Sequence, residues 1–259
     1  TNCTRVGGMT NNLWANHVTV AGDYAYVVAN DGLHIIDVHD PTHCVRVGGF
    51  STTWANGVAV AGSYAYVSAG VESFQVVDIG NPTNCVLVGG LDTSVWALDV
   101  AVAGNHAYLI EDHGEFSVLE IQNQTNCQRV GRCKIAGMQT WAAGIAVAGR
   151  YAYVAADAIG LQVIDIGDPT NCEVVGSGWN CGNATGVAVA GKYAYLATQS
   201  GLDIIDVRDP THCAFVGGSF APGAKSVALA GHYAYLAVAS DGLVVIDVSD
   251  PANCVRVGG

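Results

Sequence analysis

GVAVAGSYAYVSAGVESFQVVDIGNPTNCVLVG, residues 57–89, decides the fold. Its first segment, Gly57 to Ala61, alternates Val with small residues, and Gly62-Ser63 supplies a tight turn. Residues 64–68 alternate again, a variable loop follows, and Phe74 to Asp78 forms a third apolar run. The cluster Asn81-Pro82-Thr83-Asn84 is turn chemistry, because proline cannot sit inside a central strand. Cys85 to Gly89 completes the unit. Period-two alternation, β-branched residues and turn signals at each break predict four short strands. No 3.6-residue stripe competes with that reading.

The same unit recurs along the chain. A Tyr-Ala-Tyr element starts at Tyr24, Tyr64, His106 (His replacing the first Tyr), Tyr151, Tyr193 and Tyr233, with spacings of 40, 42, 45, 42 and 40 residues. A second marker, Asn/His-Cys followed shortly by Val-Gly, occurs seven times, at Cys3, Cys44, Cys85, Cys127, Cys172, Cys213 and Cys254. Four strands per roughly 42 residues match the propeller pattern among repeat architectures. The expectation is an all-β, six-bladed β-propeller of four-stranded blades, a single domain over residues 1–259. Its ring closes through a terminal outer strand, and the copy at residues 1–8 is surplus. That surplus strand is a candidate for pairing with a neighbouring molecule, since an unpaired edge accepts a strand.

Composition narrows the partners. Hydrophobic residues make up 51% and charged ones 12%, but the apolar runs end after a few residues. No run approaches the ~20 residues that span a bilayer, so membrane insertion is not expected. The net charge is −12 with 10 basic residues, and no basic patch invites nucleic acid.

Gly242-Leu-Val-Val-Ile-Asp247-Val248, Ala230-Gly-His-Tyr-Ala-Tyr235 and Asp250-Pro251 resemble the LVIVD repeat, a propeller-forming family. The resemblance runs through all six units and implies a surface or exported protein without a defined catalytic activity. A cysteine stands where that family commonly has a second proline after Asp-Pro. The third unit departs further, with His106, Glu120 and Gln124 in place of Tyr, Asp and Pro.

Equivalent cysteines on different blades should lie beyond the ~7 Å Cα limit for a disulfide. Six of the seven repeat cysteines are therefore read as small buried apolar residues. Cys133 and Cys181 fall outside the repeat position, in the expected linkers entering consecutive blades, and a Cys133–Cys181 bridge is a candidate.

Recognition is expected where the copies differ, on the loops between second and third strands and on the linkers between blades. Those segments hold Asp31, Glu72, Asp157, Asp241 and the dense run Glu111-Asp112-His113-Gly114-Glu115. That run is a candidate Ca²⁺ site, because Ca²⁺ takes several carboxylate and carbonyl oxygens, although no EF-hand or His-x-x-x-His spacing supports a metal. A solvated acidic loop is the plainer alternative. Trp14, Trp54, Trp96 and Trp141 share one repeat position, and Trp179 lies in the linker around Cys181. Repeated tryptophans either pack between blades or present aromatic anchors to a protein or a sugar ring.

No Gly-x-Ser-x-Gly elbow, Walker loop or Rossmann fingerprint is present, and no catalytic residue is assigned. A channel-centred metal-dependent hydrolase would need a matched set of inward groups. Asn16, Asn56, Asp99 and Lys225 are scattered candidates for one. Asn2, Asn123 and Asn183 fit the N-glycosylation triplet. The functional expectation is a non-enzymatic extracellular or cell-surface module for protein recognition or assembly, with a tryptophan-based lectin and the hydrolase as alternatives.

Overall fold

The structure is a computed structural model that describes residues 3–8, 14–137, 143–178 and 182–259; for Val71, Ser73 and Ala143 it describes the backbone alone. The candidate residues Asn2, Trp141, Trp179 and Cys181 lie outside the described residues.

Six four-stranded antiparallel sheets follow one another in the chain, the blades of a six-bladed β-propeller. The first three hold β1 (Ala15–Ala21), β2 (Tyr24–Ala29), β3 (Gly32–Asp37), β4 (Val45–Ser51), β5 (Ala55–Ala61), β6 (Tyr64–Ala69), β7 (Ser73–Asp78), β8 (Val86–Leu91), β9 (Ala97–Ala103), β10 (His106–Glu111), β11 (Glu115–Glu120) and β12 (Gln128–Lys134). The last three hold β13 (Ala143–Ala148), β14 (Tyr151–Ala156), β15 (Leu161–Asp165), β16 (Glu173–Ser177), β17 (Ala184–Ala190), β18 (Tyr193–Thr198), β19 (Gly201–Asp206), β20 (Ala214–Phe220), β21 (Ala224–Ala230), β22 (Tyr233–Val238), β23 (Gly242–Asp247) and β24 (Val255–Gly258). The final sheet is completed by β24, while residues 3–8 form no strand.

The chain divides into two compact units. The first comprises Arg5–Asp112 and Phe116–Arg132; the second comprises Thr1–Thr4, His113–Glu115 and Cys133–Gly259. In the first unit, consecutive sheets pack face to face, with Tyr26, Val28, Leu33 and Ile35 against Val58, Val67 and Val77. In the second, Tyr195, Leu202 and Ile204 meet Val227, Leu236, Val244 and Ile246 in the same way.

Two recurring turns explain the repeat. The hairpin joining the first two strands of each sheet has a two-residue loop opened by a glycine. Gly22, Gly62, Gly104, Gly149, Gly191 and Gly231 all take φ between 58° and 60°, the conformation a II′ hairpin asks of its first central residue. The second is the Asp-Pro-Thr turn. Asp40 Oδ1 accepts from Thr42 N at 2.9 Å and from Thr42 Oγ1 at 2.6 Å, and Asn81, Asn123, Asp168 and Asp209 repeat the arrangement with their own threonines.

The repeat cysteine closes that turn. Cys85 Sγ donates to Pro82 O at 3.4 Å, and Cys44, Cys127, Cys213 and Cys254 donate to the equivalent carbonyls. The same carbonyl faces the preceding sheet, because a Cβ added to Gly48 would lie 1.7 Å from Pro82 O. Gly89 with Gln124, Gly176 with Pro210 and Gly217 with Pro251 repeat the approach. Gly7 makes it with Pro41, so the surplus N-terminal copy lies against the first sheet's turn where a preceding blade's glycine would sit.

Candidate functional site

The acidic residues of the variable loops are anchors within their own sheets. Glu111 ends β10 and is only 1% exposed at its side chain. Its carboxylate accepts from Ser117 Oγ at 2.7 Å and from Arg129 Nη2 at 3.1 Å. A carboxylate buried this deeply is tolerated because it is both paired and hydrogen-bonded. Glu72 does the same in the second sheet, accepting from Thr52 Oγ1 at 2.6 Å and from the Gln75 amide. In the first, Asp31 Oδ1 lies 2.8 Å from His34 Nε2. Partial burial works against ionisation of Asp31, but the neighbouring His34 prevails and holds its carboxyl below the ordinary range.

One position recurs in these pairs: His34, Gln75 and Ser117 are all the third-strand residue that faces its own loop acid. The sequence carried this signal, since each is polar between two apolar neighbours in its strand, but the partner lies at variable separation. Glu115 lies 3.4 Å from Lys134 Nζ, and Asp241 is 3.0 Å from Arg256 Nη1. Ser240 and then Arg256 hold the Asp241 carboxyl below its usual value. His113 sits at φ 60° in a 3₁₀ turn, Asp112–Gly114. Among the described residues, no group of three or more His, Cys, Asp or Glu side chains converges to hold a metal ion.

The inner-strand polar residues also have structural partners. Asn16 Nδ2 donates to Ala55 O and Asn56 Nδ2 to Ala97 O, both at 2.8 Å, stitching each first strand to the next. Thr185 Oγ1 does the same to Lys225 O at 3.0 Å. Asp99 is buried, and its carboxylate accepts from Val100 N at 2.8 Å. Asn123 caps its turn through Thr125, and Asn183 sits at φ 43° before β17.

The tryptophans behave differently. Trp14 is 80% and Trp54 51% exposed. Trp96 is half-buried, with its ring centroid 6.1 Å from that of Trp54 and the planes inclined at 56°. Gly70 lies close to both residues: a Cβ there would be 2.9 Å from Trp54 Cβ and 3.3 Å from Trp96 Cζ2. Trp54 N donates to Asn30 O at 3.0 Å, and Asp112 N to Trp96 O at 2.8 Å, so backbone bonds fix both positions.

Trp54 takes φ 53°. The residues at its repeat position in the fifth and sixth units, Asn183 and Gly223, take φ 43° and 84°. Glycine and asparagine suit that left-handed conformation; a bulky residue costs about 1 kcal/mol there. A tryptophan is thus held against its backbone preference with half its surface in solvent.

Cys133 is corrected from a linker to strand β12, and its thiol hydrogen-bonds to Cys172. All the described cysteines are free thiols.

A family model described as LVIVD repeat matches residues 14–52, 54–93, 96–135, 141–178, 181–219 and 223–258. No curated protein matches the sequence. Among solved structures, a protein from Lactobacillus plantarum is similar with a TM-score of 0.80 at 12% identity, over 97% of this chain and 85% of that one. A functionally unknown protein from Desulfotomaculum acetoxidans DSM 771 gives 0.77 at 16% identity, over 96% and 87%. The Cps50 (Swd1) β-propeller domain of Myceliophteria thermophila gives 0.70 at 12%, over 96% and 86%. At such identities the likeness establishes the propeller fold alone.

Proposed function

We propose a recognition role for this chain, which belongs to the LVIVD-repeat family: an extracellular, non-catalytic propeller that binds a protein through the loops bearing Trp14, Trp54 and Trp96. The observation that carries this reading is Trp54, half-exposed at a left-handed position where sister repeats use Asn183 and Gly223. Packing does not require a large ring there, because those repeats fold without one. Exposed tryptophan on a rigid frame is a common anchor of protein interfaces. The loop acids support the same reading from the other side, since Glu72 and Glu111 are spent on holding the loops.

The test uses a displayed peptide library selected against the whole chain, with Trp54→Asn and Trp14→Ala as variants. Selected peptides should bind the parent and lose about 2 kcal/mol, roughly 30-fold in affinity, for each anchor removed. Trp54→Asn should leave thermal unfolding unchanged or slightly raised, separating recognition from fold. Equal binding by parent and variants overturns the reading. So does saturable tryptophan quenching by oligosaccharides with no peptide selected, which would favour a lectin.

A further inference from the structure

Cys133 lies on β12 at the repeat position that Phe50 and Leu91 hold in the first two sheets. Phe50 packs into the cluster that includes Cys85, the repeat cysteine of the following sheet. The same placement carries Cys133 to Cys172, the repeat cysteine before β16, and the two thiols hydrogen-bond to each other. Both residues belong to the second unit.

We propose that Cys133 and Cys172 are a redox-active dithiol that closes to an intramolecular disulfide by exchange with a small-molecule disulfide such as oxidised glutathione. Neither thiol has that role elsewhere in the repeat. The sulfurs of Cys44, Cys85, Cys127, Cys213 and Cys254 each donate to a turn carbonyl. Burial raises the thiols of Cys85, Cys127 and Cys254, and pushes Cys213 up to about 11, which keeps them protonated and inert. In the pair, the Cys133 S–H donates to Cys172 and draws its titration downward, while loss of the second proton is opposed by the neighbouring thiolate, by burial, and by Glu115 and Glu173. The first proton therefore leaves from Cys172 and the shared one stays on Cys133, so Cys172 is placed to take that proton when Cys133 attacks a disulfide.

Cys133 is half-buried whereas Cys172 is buried, so Cys133 is the more accessible sulfur to a small disulfide. Cys133 passes its proton to the Cys172 thiolate and attacks one sulfur of the disulfide RSSR, forming Cys133–S–SR and releasing RS⁻, which takes up the proton that Cys172 first released. Cys172 then attacks the Cys133 sulfur as a thiolate, expelling a second RS⁻ that takes up the second proton. The protein loses two hydrogens and two electrons, and RSSR becomes two RSH. The product clamps the edge strand β12 to the turn that precedes β16.

The fully reduced chain is equilibrated in glutathione buffers of increasing oxidised fraction, quenched with acid, alkylated and digested without reductant. A peptide pair linked through Cys133 and Cys172 should accumulate as the buffer becomes oxidising, while peptides bearing Cys85, Cys127, Cys213 and Cys254 stay alkylated. Cys133→Ser should remove the link and leave Cys172 alkylated. Complete alkylation of both residues across the whole range overturns the proposal. Recovery of Cys133 joined to Cys181, or to glutathione alone, overturns it equally. The readout on the unaltered chain is decisive even if the variant does not fold.

Discussion

Replacing Gly48 by alanine tests the seam between consecutive sheets. The new Cβ would stand 1.7 Å from Pro82 O and 2.8 Å from Pro82 C, whereas ordinary contact begins near 3.4 Å. Neither neighbour is a flexible side chain. The carbonyl belongs to a turn tied down by Asn81 and also accepts the Cys85 Sγ at 3.4 Å, so relief requires the two sheets to separate. Overpacking a close-packed contact costs about 1–3 kcal/mol, and a radial gap of ~0.5–1 Å forfeits a quarter to a half of each dispersion contact along the seam. The expected destabilisation is about 3 kcal/mol. With ~2.1 cal/mol/K of unfolding entropy per residue, a chain of 259 residues loses about 6 °C in Tm. Gly62→Ala is the control, because nothing lies within 4 Å of its Cβ and its only cost is φ 58°. That cost is about 1 kcal/mol, and Gly62→Asn should recover much of it, whereas Gly48→Asn should not improve on Gly48→Ala. Thermal and urea unfolding followed by circular dichroism read both effects. A Gly48→Ala chain within about 0.5 kcal/mol of the parent would refute the seam argument.

Two further outcomes follow from the electrostatics. Arg129→Met leaves the buried Glu111 carboxylate with Ser117 alone and should cost about 3 kcal/mol in urea unfolding; adding Glu111→Gln should restore part of it, and a lack of recovery would argue against the ion pair. Hydrogen bonds from Thr42, Thr170 and Thr211 hold Asp40, Asp168 and Asp209 below the usual carboxylate range. A depressed folded pKa stabilises above the unfolded value of ~3.9 and the gain is lost as pH falls through the folded one, so acid should melt the chain progressively below about pH 3.9. Replacing the three threonines by valine should shrink that pH dependence while leaving the acid limit in place.

Local periodicity made the six units legible in the sequence, because strands of period two, Ala-Gly hairpins and Asp-Pro turns depend on neighbours within a few residues. The Asn and Asp side chains that cap those turns act over the same short range. What was not legible depends on which sheet lies beside which. The acids of the variable loops looked alike in sequence, yet Glu111 is buried under Arg129 and Asp31 pairs with His34, partners set by strand register and side-chain reach. Trp54 reads as one of a set; its left-handed backbone emerges only from the loop that Asn30 fixes.

The sequence by itself determined the number of units, the strands and the two turn types, since each is a property of a short segment that any copy can express alone. It also marked the loops where the copies diverge. Tertiary structure alone decided that Cys133 meets Cys172, and that glycines such as Gly48 must yield to the next sheet's carbonyl. The physical reason is the same in each case: these contacts join residues 34 and 39 positions apart, and face-to-face sheet packing, not the local chain, sets their distance.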